Sequence, residues 1–552
     1  MSRAGMGRAA TRWITPFLLG AAAMTVACCG ARASGDDHMT LAVQTHFSQG
    51  WPLSWLAKAQ ALGAPAIRDG LPWASVERSP GVYQFPPALD AYMHAAQAHG
   101  MRVVITVVPA NPLYDAGKTV QAPQSVRAFE LFLSAVADRY GQTLQGIEVG
   151  NEINTGGGLT GPAATDRAAA YAKLLAGVYP DFKSKHPNVL ILGGSTNVIG
   201  VGLLEAVFKA GGLADMDAVV VHPYRAHAEG VDLELARLQA AMSRYGQPKP
   251  IYATEFGEEF DDPARSAPLL LKMVAMLGAS HVAWSSWYVL HDEPFFRNMG
   301  LLDPDGGVKP ASRAFTLAQQ ALIPLGDPVR VNTGDPDAYV YRYRADTYVM
   351  WGAPQALSFS GKPRARNAEG VEIAPPKALS DDPVVVDGAS DVKFGDDPVV
   401  ADSLYGYGAA PWSYFARTAD GAYHPLSPVD WEWTSYFGGR FYKPLRINAD
   451  SLAAGGSQAN PIEAVERFTA DRAETVNAVG DFSVSAKGPG IEVHIYHNGA
   501  QIFSQVVTSE FHLPAMKVTL GQGDTLDFGV APRTTSSGTS TNLHIRLLRA
   551  GA

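Results

Sequence analysis

The chain is predicted to be an α/β protein, a (β/α)8 TIM barrel followed by C-terminal all-β sandwich modules. Two observations carry this. Across residues 36–325, eight short, β-rich apolar runs alternate with stretches whose apolar residues recur at helical spacing, the order that gives parallel strands and crossover helices. Beyond Leu325 the pattern changes to brief period-two segments separated by Gly, Pro and Asp turns, which suits antiparallel sheets. With 552 residues the chain is also too long for one hydrophobic core, so several domains are expected.

In order, the eight runs are residues 41–45, 66–69, 102–107, 146–149, 189–193, 218–221, 251–254 and 281–286. Amphipathic stretches such as 53–62, 88–99 and 125–140 lie between them and read as the outer helices. Eight units in nearly 300 residues fit a barrel with loop insertions. A small β module packed on the barrel is expected over 326–396, with alternation at 338–343 and 347–351 and a late strand at 383–386. A β-sandwich is expected over 397–552, with alternation clearest at 491–496 and 543–547 and turns at 488–490, 497–499 and 521–524.

The formal charge is -9 and the pI about 5.9, and no block of Lys or Arg occurs. That removes the basic footprint a phosphate backbone needs, so nucleic acid is not an expected partner. Residues 1–33 read as a secretory signal: Arg3, Arg8 and Arg12, an apolar run from Trp13 to Ala27, then small residues ending in Ala31-Arg32-Ala33. The run is short for a membrane span, and none is expected in the mature chain. Both cysteines, Cys28 and Cys29, fall at its end. Cleavage after Ala33 leaves a chain without thiols. A second reading stands beside it, because Thr25-Val26-Ala27-Cys28 loosely resembles a bacterial lipobox, with Thr25 where leucine is usual, and would keep Cys28 as a lipid anchor. Either route puts the protein outside the cytoplasm: secreted, periplasmic or anchored at the outer membrane.

Chemistry concentrates at two strand ends. Ile147-Glu148-Val149-Gly150-Asn151-Glu152-Ile153-Asn154 closes the fourth run on an Asn-Glu pair, and Ile251-Tyr252-Ala253-Thr254-Glu255-Phe256-Gly257 closes the seventh on a glutamate. Barrel active sites lie at the C-terminal strand ends, so both carboxylates are expected over one pocket. Glu148, four residues before Glu152, is expected to be a buried, paired structural acid. Three further stretches accompany them in order: Ile67-Arg68-Asp69-Gly70-Leu71-Pro72-Trp73 with Gly81-Val82-Tyr83-Gln84-Phe85; His222-Pro223-Tyr224; and Gly300-Leu301-Leu302-Asp303-Pro304-Asp305-Gly306 with Lys309-Pro310-Ala311. Over about residues 40–325 this set resembles glycoside hydrolase clan A, and within it family 39 and the bacterial exopolysaccharide hydrolases grouped near it. Ile153 departs from the family, which usually has proline there, and bears on loop shape rather than chemistry.

The resemblance implies a retaining O-glycoside hydrolase. Glu152 would give and later take the proton, and Glu255 would attack, two carboxylates flanking an oxocarbenium-like transition state. Glu152 would stay protonated near neutral pH because of the negative charge of Glu255. Arg68 and Tyr224 would hydrogen-bond Glu255, Asn151 would hold a sugar hydroxyl, His222 would line the same wall, and Trp287 would be the aromatic platform under the sugar. His46, after the first strand, is a candidate substrate contact. Trp51, Trp55 and Trp73 are either further platforms or packing.

No metal site or cofactor is expected, since the histidines are scattered. Gly156-Gly157-Gly158-Leu159-Thr160-Gly161 fits G-x-G-x-x-G but follows a fourth strand, not the first, and reads better as a loop rimming a sugar cleft. The expected substrate is a β-linked polysaccharide or oligosaccharide, cleaved in endo fashion as in a bacterial exopolysaccharide. An exo-acting glycosidase resembling β-xylosidases or iduronidases, and a non-catalytic polysaccharide-binding accessory protein, are the alternatives. The sandwich is expected either to bind carbohydrate or to brace the barrel.

Overall fold

The computed structural model describes residues 38–344, 346–484 and 488–550. The signal segment, with Cys28, lies outside the described residues. Eight parallel strands close a barrel: β1 (Thr40–Gln44), β2 (Ala66–Gly70), β3 (Arg102–Val107), β4 (Leu144–Val149), β5 (Leu190–Asn197), β6 (Ala218–His222), β7 (Ile251–Phe256) and β8 (Trp284–Trp287). Each is followed by one outer helix: α1 (Ser54–Ala61), α2 (Pro87–Ala98), α3 (Pro123–Tyr140), α4 (Arg167–Lys185), α5 (Val201–Lys209), α6 (Val231–Tyr245), α7 (Ser266–Ala279) and α8 (Pro310–Ala321).

Period-two alternation fills the barrel in layers. The lower layer is an apolar plug of Ala42, Ala66, Val104, Leu192, Ala218, Val220, Tyr252 and Trp284, with the Tyr252 and Trp284 rings stacked at 6.0 Å. Two residues further along the same strands come Gln44, Arg68, Thr106, His222, Thr254 and Ser286, all nearly or fully shut off from solvent. Glu148 joins them from β4. Its partner below is Gly146, where a Cβ would come within 2.9 Å of Leu190. The plug is apolar and the layer above it is polar, so the pocket floor is built of charged and hydroxyl groups.

Three register shifts interrupt the barrel: one lies at its base, where Val103 pairs with Leu144 and Val104 with Gly146, and two lie at the pocket end. Between β7 and β8 the pairs run Ser285 with Ala253, then Trp287 with Phe256, so β7 carries one extra residue at Thr254–Glu255. Between β5 and β6, Gly193 pairs with Val219 and Thr196 with Val221, which puts the extra residue at Gly194–Ser195. Bulges re-aim side chains near active sites. Here they turn Glu255 and Ser195 inward.

After the barrel, strands between Val329 and Phe394 form one six-stranded antiparallel sheet. It rests on the barrel through Trp351, stacked between Tyr339 and Tyr341 and donating its indole N–H to Glu229 at 2.8 Å. Strands between Val399 and Arg549 form two further sheets that share one apolar core, including Trp412, Phe468, Phe482, Phe528 and Ile545. A sandwich loop docks on the barrel beside α5. The Gly202 N–H donates to the Trp431 carbonyl at 2.8 Å, and Arg237 pairs with Asp430 at 2.7 Å. A Cβ on Gly200 would fall 2.5 Å from the Glu432 carbonyl oxygen, so this approach requires glycine. Among the described residues no helix is long and apolar enough to cross a membrane.

Candidate active site

A cavity of about 780 Å³ opens over the C-terminal strand ends and is lined by Gln44, His46, Arg68, Asn151, Glu152, Asn197, Tyr224, Glu255 and Tyr288, among others. Arg68 organises its floor. The guanidinium donates to both oxygens of Glu148 (2.7 and 3.1 Å), to Gln44 at 2.8 Å, to Asn151 at 2.9 Å and to Glu255. Burial alone would lower the pKa of this group, but the charges of Glu148 and Glu255 outweigh it and fix the positive form. Glu148 also accepts from Thr106 at 2.9 Å and from Ser195. Burial opposes its ionisation, yet Arg68 and His222 hold it below the ordinary range. It is the buried, paired acid expected from its strand position.

Glu255 receives Arg68 on one oxygen and the Tyr224 hydroxyl on the other. Burial and the Glu255 charge push the Tyr224 phenol far up, so it stays a donor. Glu152, with its side chain 23% exposed, sits at positive φ (48°) just past β4. Strain of this kind persists where the surroundings over-determine it. The glycine-rich loop is part of those surroundings: a Cβ on Gly158 would lie 2.0 Å from the Glu152 carbonyl oxygen. The run therefore packs under the Glu152 backbone instead of merely rimming the cleft.

A relay sets the Glu152 side chain. Asn197 donates to its Oε1 at 2.6 Å. Asn154 in turn accepts from the Asn197 backbone N–H at 2.9 Å and donates to the Asn197 carbonyl at 2.9 Å and to the Glu432 carbonyl at 2.8 Å. The sandwich thus reaches Glu152 through two asparagines. Neither Asn154 nor Asn197 was a site candidate by sequence: Asn154 lies in the loop past β4, and Asn197 closes β5 beyond the bulge at Gly194–Ser195, so periodicity points to neither. Asn154 did stand within the Asn-Glu motif.

His222 is fully buried and lies beneath the cavity floor, not on its wall as expected. Its Nε2 meets Glu148 at 3.3 Å and Thr254 at 3.1 Å, while Nδ1 stands 3.6 Å from Glu152 and 3.5 Å from Glu255. Burial pulls its pKa down, but the Glu255 charge, hydrogen bonding to Glu148 and the nearby Glu152 carboxylate push it up to about 9. This reverses the expectation for Glu152. Burial raises the Glu152 pKa, yet the imidazolium between the two carboxylates, with Asn197 and Arg68, brings it below the ordinary range.

Trp287 is a second correction. It is fully buried, packed edge-on against Phe256 with its N–H on the Met299 carbonyl at 2.8 Å, and lines no part of the cavity. The register shift hands the wall position to its neighbour, Tyr288. His46 does line the cavity; it lies 3.3 Å from Glu293 and packs against Trp51 and Tyr288, and burial lowers its pKa. Of the tryptophans, Trp73 touches the wall but is 1% exposed, with its N–H on Glu77 at 2.6 Å, and Trp51 stacks on His291 at 3.9 Å. Both are packing residues in the main.

One atom from each of Glu152, His222 and Glu255 lies within 4.8 Å of the other two, close enough to enclose an ion. The donor set argues for a different use. Both Glu255 oxygens and Glu152 Oε1 already accept hydrogen bonds, and the Arg68 guanidinium and the protonated imidazole beside them would repel a cation. The cluster suits charge that develops on a substrate.

No protein-family model matches the chain. No curated protein matches it either. Among solved structures, a family 39 glycoside hydrolase from the gut symbiont Bacteroides cellulosilyticus WH2 is 18% identical, with a TM-score of 0.55 over 64% of this chain and 81% of its own. A family 39 β-xylosidase from Caulobacter crescentus is 18% identical over 64% of this chain and 97% of its own, at a TM-score of 0.44, too low to carry an argument. At such identity the first likeness speaks for the fold alone: this chain shares the fold of a family 39 glycoside hydrolase.

Proposed function

We propose that the protein is a retaining β-glycoside hydrolase, with Glu255 as nucleophile and Glu152 as acid/base. The observation that carries this is the approach of the two carboxylates, with oxygens within 4.8 Å, across a cavity at the C-terminal strand ends. Retaining enzymes hold the pair about 5–5.5 Å apart and inverting ones about 6.5–9.5 Å apart. Arg68 and Tyr224 hydrogen-bond the two oxygens of Glu255 and aim it, and Glu255 adds to the anomeric carbon as the bond to the leaving oxygen breaks. Glu152 supplies the proton to that oxygen. Burial is already the largest influence on Glu152 and acts upward, so a sugar seated over its remaining exposed surface favours the acid form. Once Glu255 is esterified its charge is gone, and Glu152, held ionised by His222 and Asn197, is set to take a proton from water.

The finer reading is endo-hydrolysis of a polysaccharide outside the cytoplasm, on a bacterial exopolysaccharide. The signal-like residues 1–33 and the sandwich built against the active-site rim support it. Asn151 and His46 on the cavity wall are assigned to sugar hydroxyls and Tyr288 to the sugar face. Glu255→Ala should lose at least about a thousandfold in kcat and regain turnover with azide, giving an inverted azide product. Rescue with retention, or no loss, would contradict the assignment. Loss on Glu152→Ala should be far smaller for substrates with good leaving groups.

A further inference from the structure

A second cavity, about 210 Å³, lies in the seam between the barrel and the sandwich. It begins beside the catalytic one. Tyr224, whose hydroxyl holds Glu255, belongs to both walls, and Val198 and Ile199, which follow Asn197, form its near edge. The barrel contributes Arg225, Glu229 and Glu234, and the sandwich contributes Asn448 and Asp450.

Its lining is polar and charged. Glu229, 1% exposed, is already held through Oε1 by Lys272 and Trp351, so the groups open to an occupant are the Arg225 guanidinium, whose Nη1 lies 3.4 Å from Glu234, the Asn448 amide and the Asp450 carboxylate. A small cavity lined by such groups between two packed domains suits a polar occupant. At about 30 Å³ per water in the liquid, the volume equals roughly seven waters, the scale of one pyranose unit. Carboxylate, guanidinium, amide and imidazole groups offer both donors and acceptors, as a ring of hydroxyls requires, and Tyr407 adds an aromatic face.

The side on which it lies is informative. An acid must sit beside the leaving oxygen, so the leaving group extends past Glu152. Asn197 holds Glu152, and the next two residues open onto the seam, whereas Gln44, His46 and Tyr288 lie along the opposite flank. We infer that the seam cavity is an aglycone subsite, which binds one sugar of the chain on the leaving-group side and is half built by the β-sandwich. The inference rests on the hydrolase reading above and deepens it, because it places the sugar beyond the cleaved bond, which endo- and exo-acting enzymes alike must seat. It also gives the sandwich a part in substrate choice.

The test compares two probes of one sugar: a β-glycosyl fluoride, which has no aglycone sugar, and the β-linked tetrasaccharide, both drawn from a panel of common hexoses and pentoses. Asp450→Ala removes a polar group from the seam, and Asn448→Trp fills it; both residues lie outside the catalytic machinery. The expected result is kcat/KM on the fluoride within about twofold of wild type and a fall of about tenfold on the tetrasaccharide, the worth of a lost hydrogen bond to a charged group. Equal loss on both probes, or no loss on the tetrasaccharide, would overturn the subsite while leaving the hydrolase standing. A wild type that turns over neither probe anywhere in the panel would overturn the hydrolase reading, and the subsite with it.

Discussion

At the C-terminal end of the barrel, Arg68, Glu148, His222 and Glu255 are buried together, and each carboxylate oxygen of Glu148 and Glu255 meets at least one donor. In the sandwich core Glu466 is just as buried, at 1% exposure, but one of its oxygens has no partner, and burial together with the Asp402 charge pushes its pKa up to about 8. The same residue type meets the same solvent exclusion with opposite results. Where the strands supply a cation, as at Glu148, the acid stays ionised; where they supply none, as at Glu466, it takes a proton. Pairing decides the charge of a buried acid but does not alone mark the active site, since Asp527, fully buried in the sandwich, is paired with Arg467.

Breaking the pairing should have the largest effect. Arg68→Met leaves Glu148 and Glu255 without their shared cation, and removing one partner of a buried ion pair costs about 3–5 kcal/mol. The variant should lose activity and unfold at markedly lower denaturant, whereas Glu466→Gln, a neutral isostere, should unfold near wild type at acid pH. Similar midpoints for Arg68→Met and wild type would show that the network contributes nothing to stability.

The relay comes next. Asn154→Ala removes the hydrogen bonds that join the sandwich to Asn197, so Glu152 should lose its aim. About a tenfold fall in kcat is expected on substrates with poor leaving groups and little change on glycosyl fluorides, which need no proton. An equal fall on both classes would assign Asn154 to general folding.

The smallest effects are in pH dependence, and their windows differ. His222 has a folded value of about 9, above the ordinary 6.5, so its charged form stabilises the barrel fully below about 6.5 and that contribution is lost as pH rises through 9. Glu466 has a folded value of about 8, above the ordinary 4.5, so the stability tied to its neutral form is present below 4.5 and lost as pH rises through 8. Unfolding midpoints against pH should therefore flatten between 4.5 and 8 in Glu466→Gln, and between 6.5 and 9 in His222→Gln. A Glu466→Gln curve parallel to wild type would contradict the protonated acid in the sandwich.

Much of the barrel was legible because period two is a strong signal. The inward residues Gln44, Arg68 and Glu148 all stand two places beyond an apolar plug residue or its glycine, and the strand ends at Glu152 and Glu255 mark the pocket. Parity failed where the strands bulge. The extra residue in β7 lets Thr254 and Glu255 both face inward, and the shift against β8 buries Trp287 and presents Tyr288 instead. The pKa direction at Glu152 was missed for a related reason: His222 was expected on the wall, but it lies below, between the two acids. Contacts that join distant segments, such as Asn154 with Glu432 or the seam cavity, leave no periodic trace.

The central claim is that Glu255 forms the bond to the sugar. A fluoro-sugar inactivator, which forms the glycosyl intermediate quickly and hydrolyses it slowly, followed by peptide mass spectrometry, tests it most directly. The account predicts a single sugar adduct on the peptide carrying Glu255, absent from Glu255→Gln. An adduct on Glu152, or none on a protein that still turns over the matching glycoside, would contradict it.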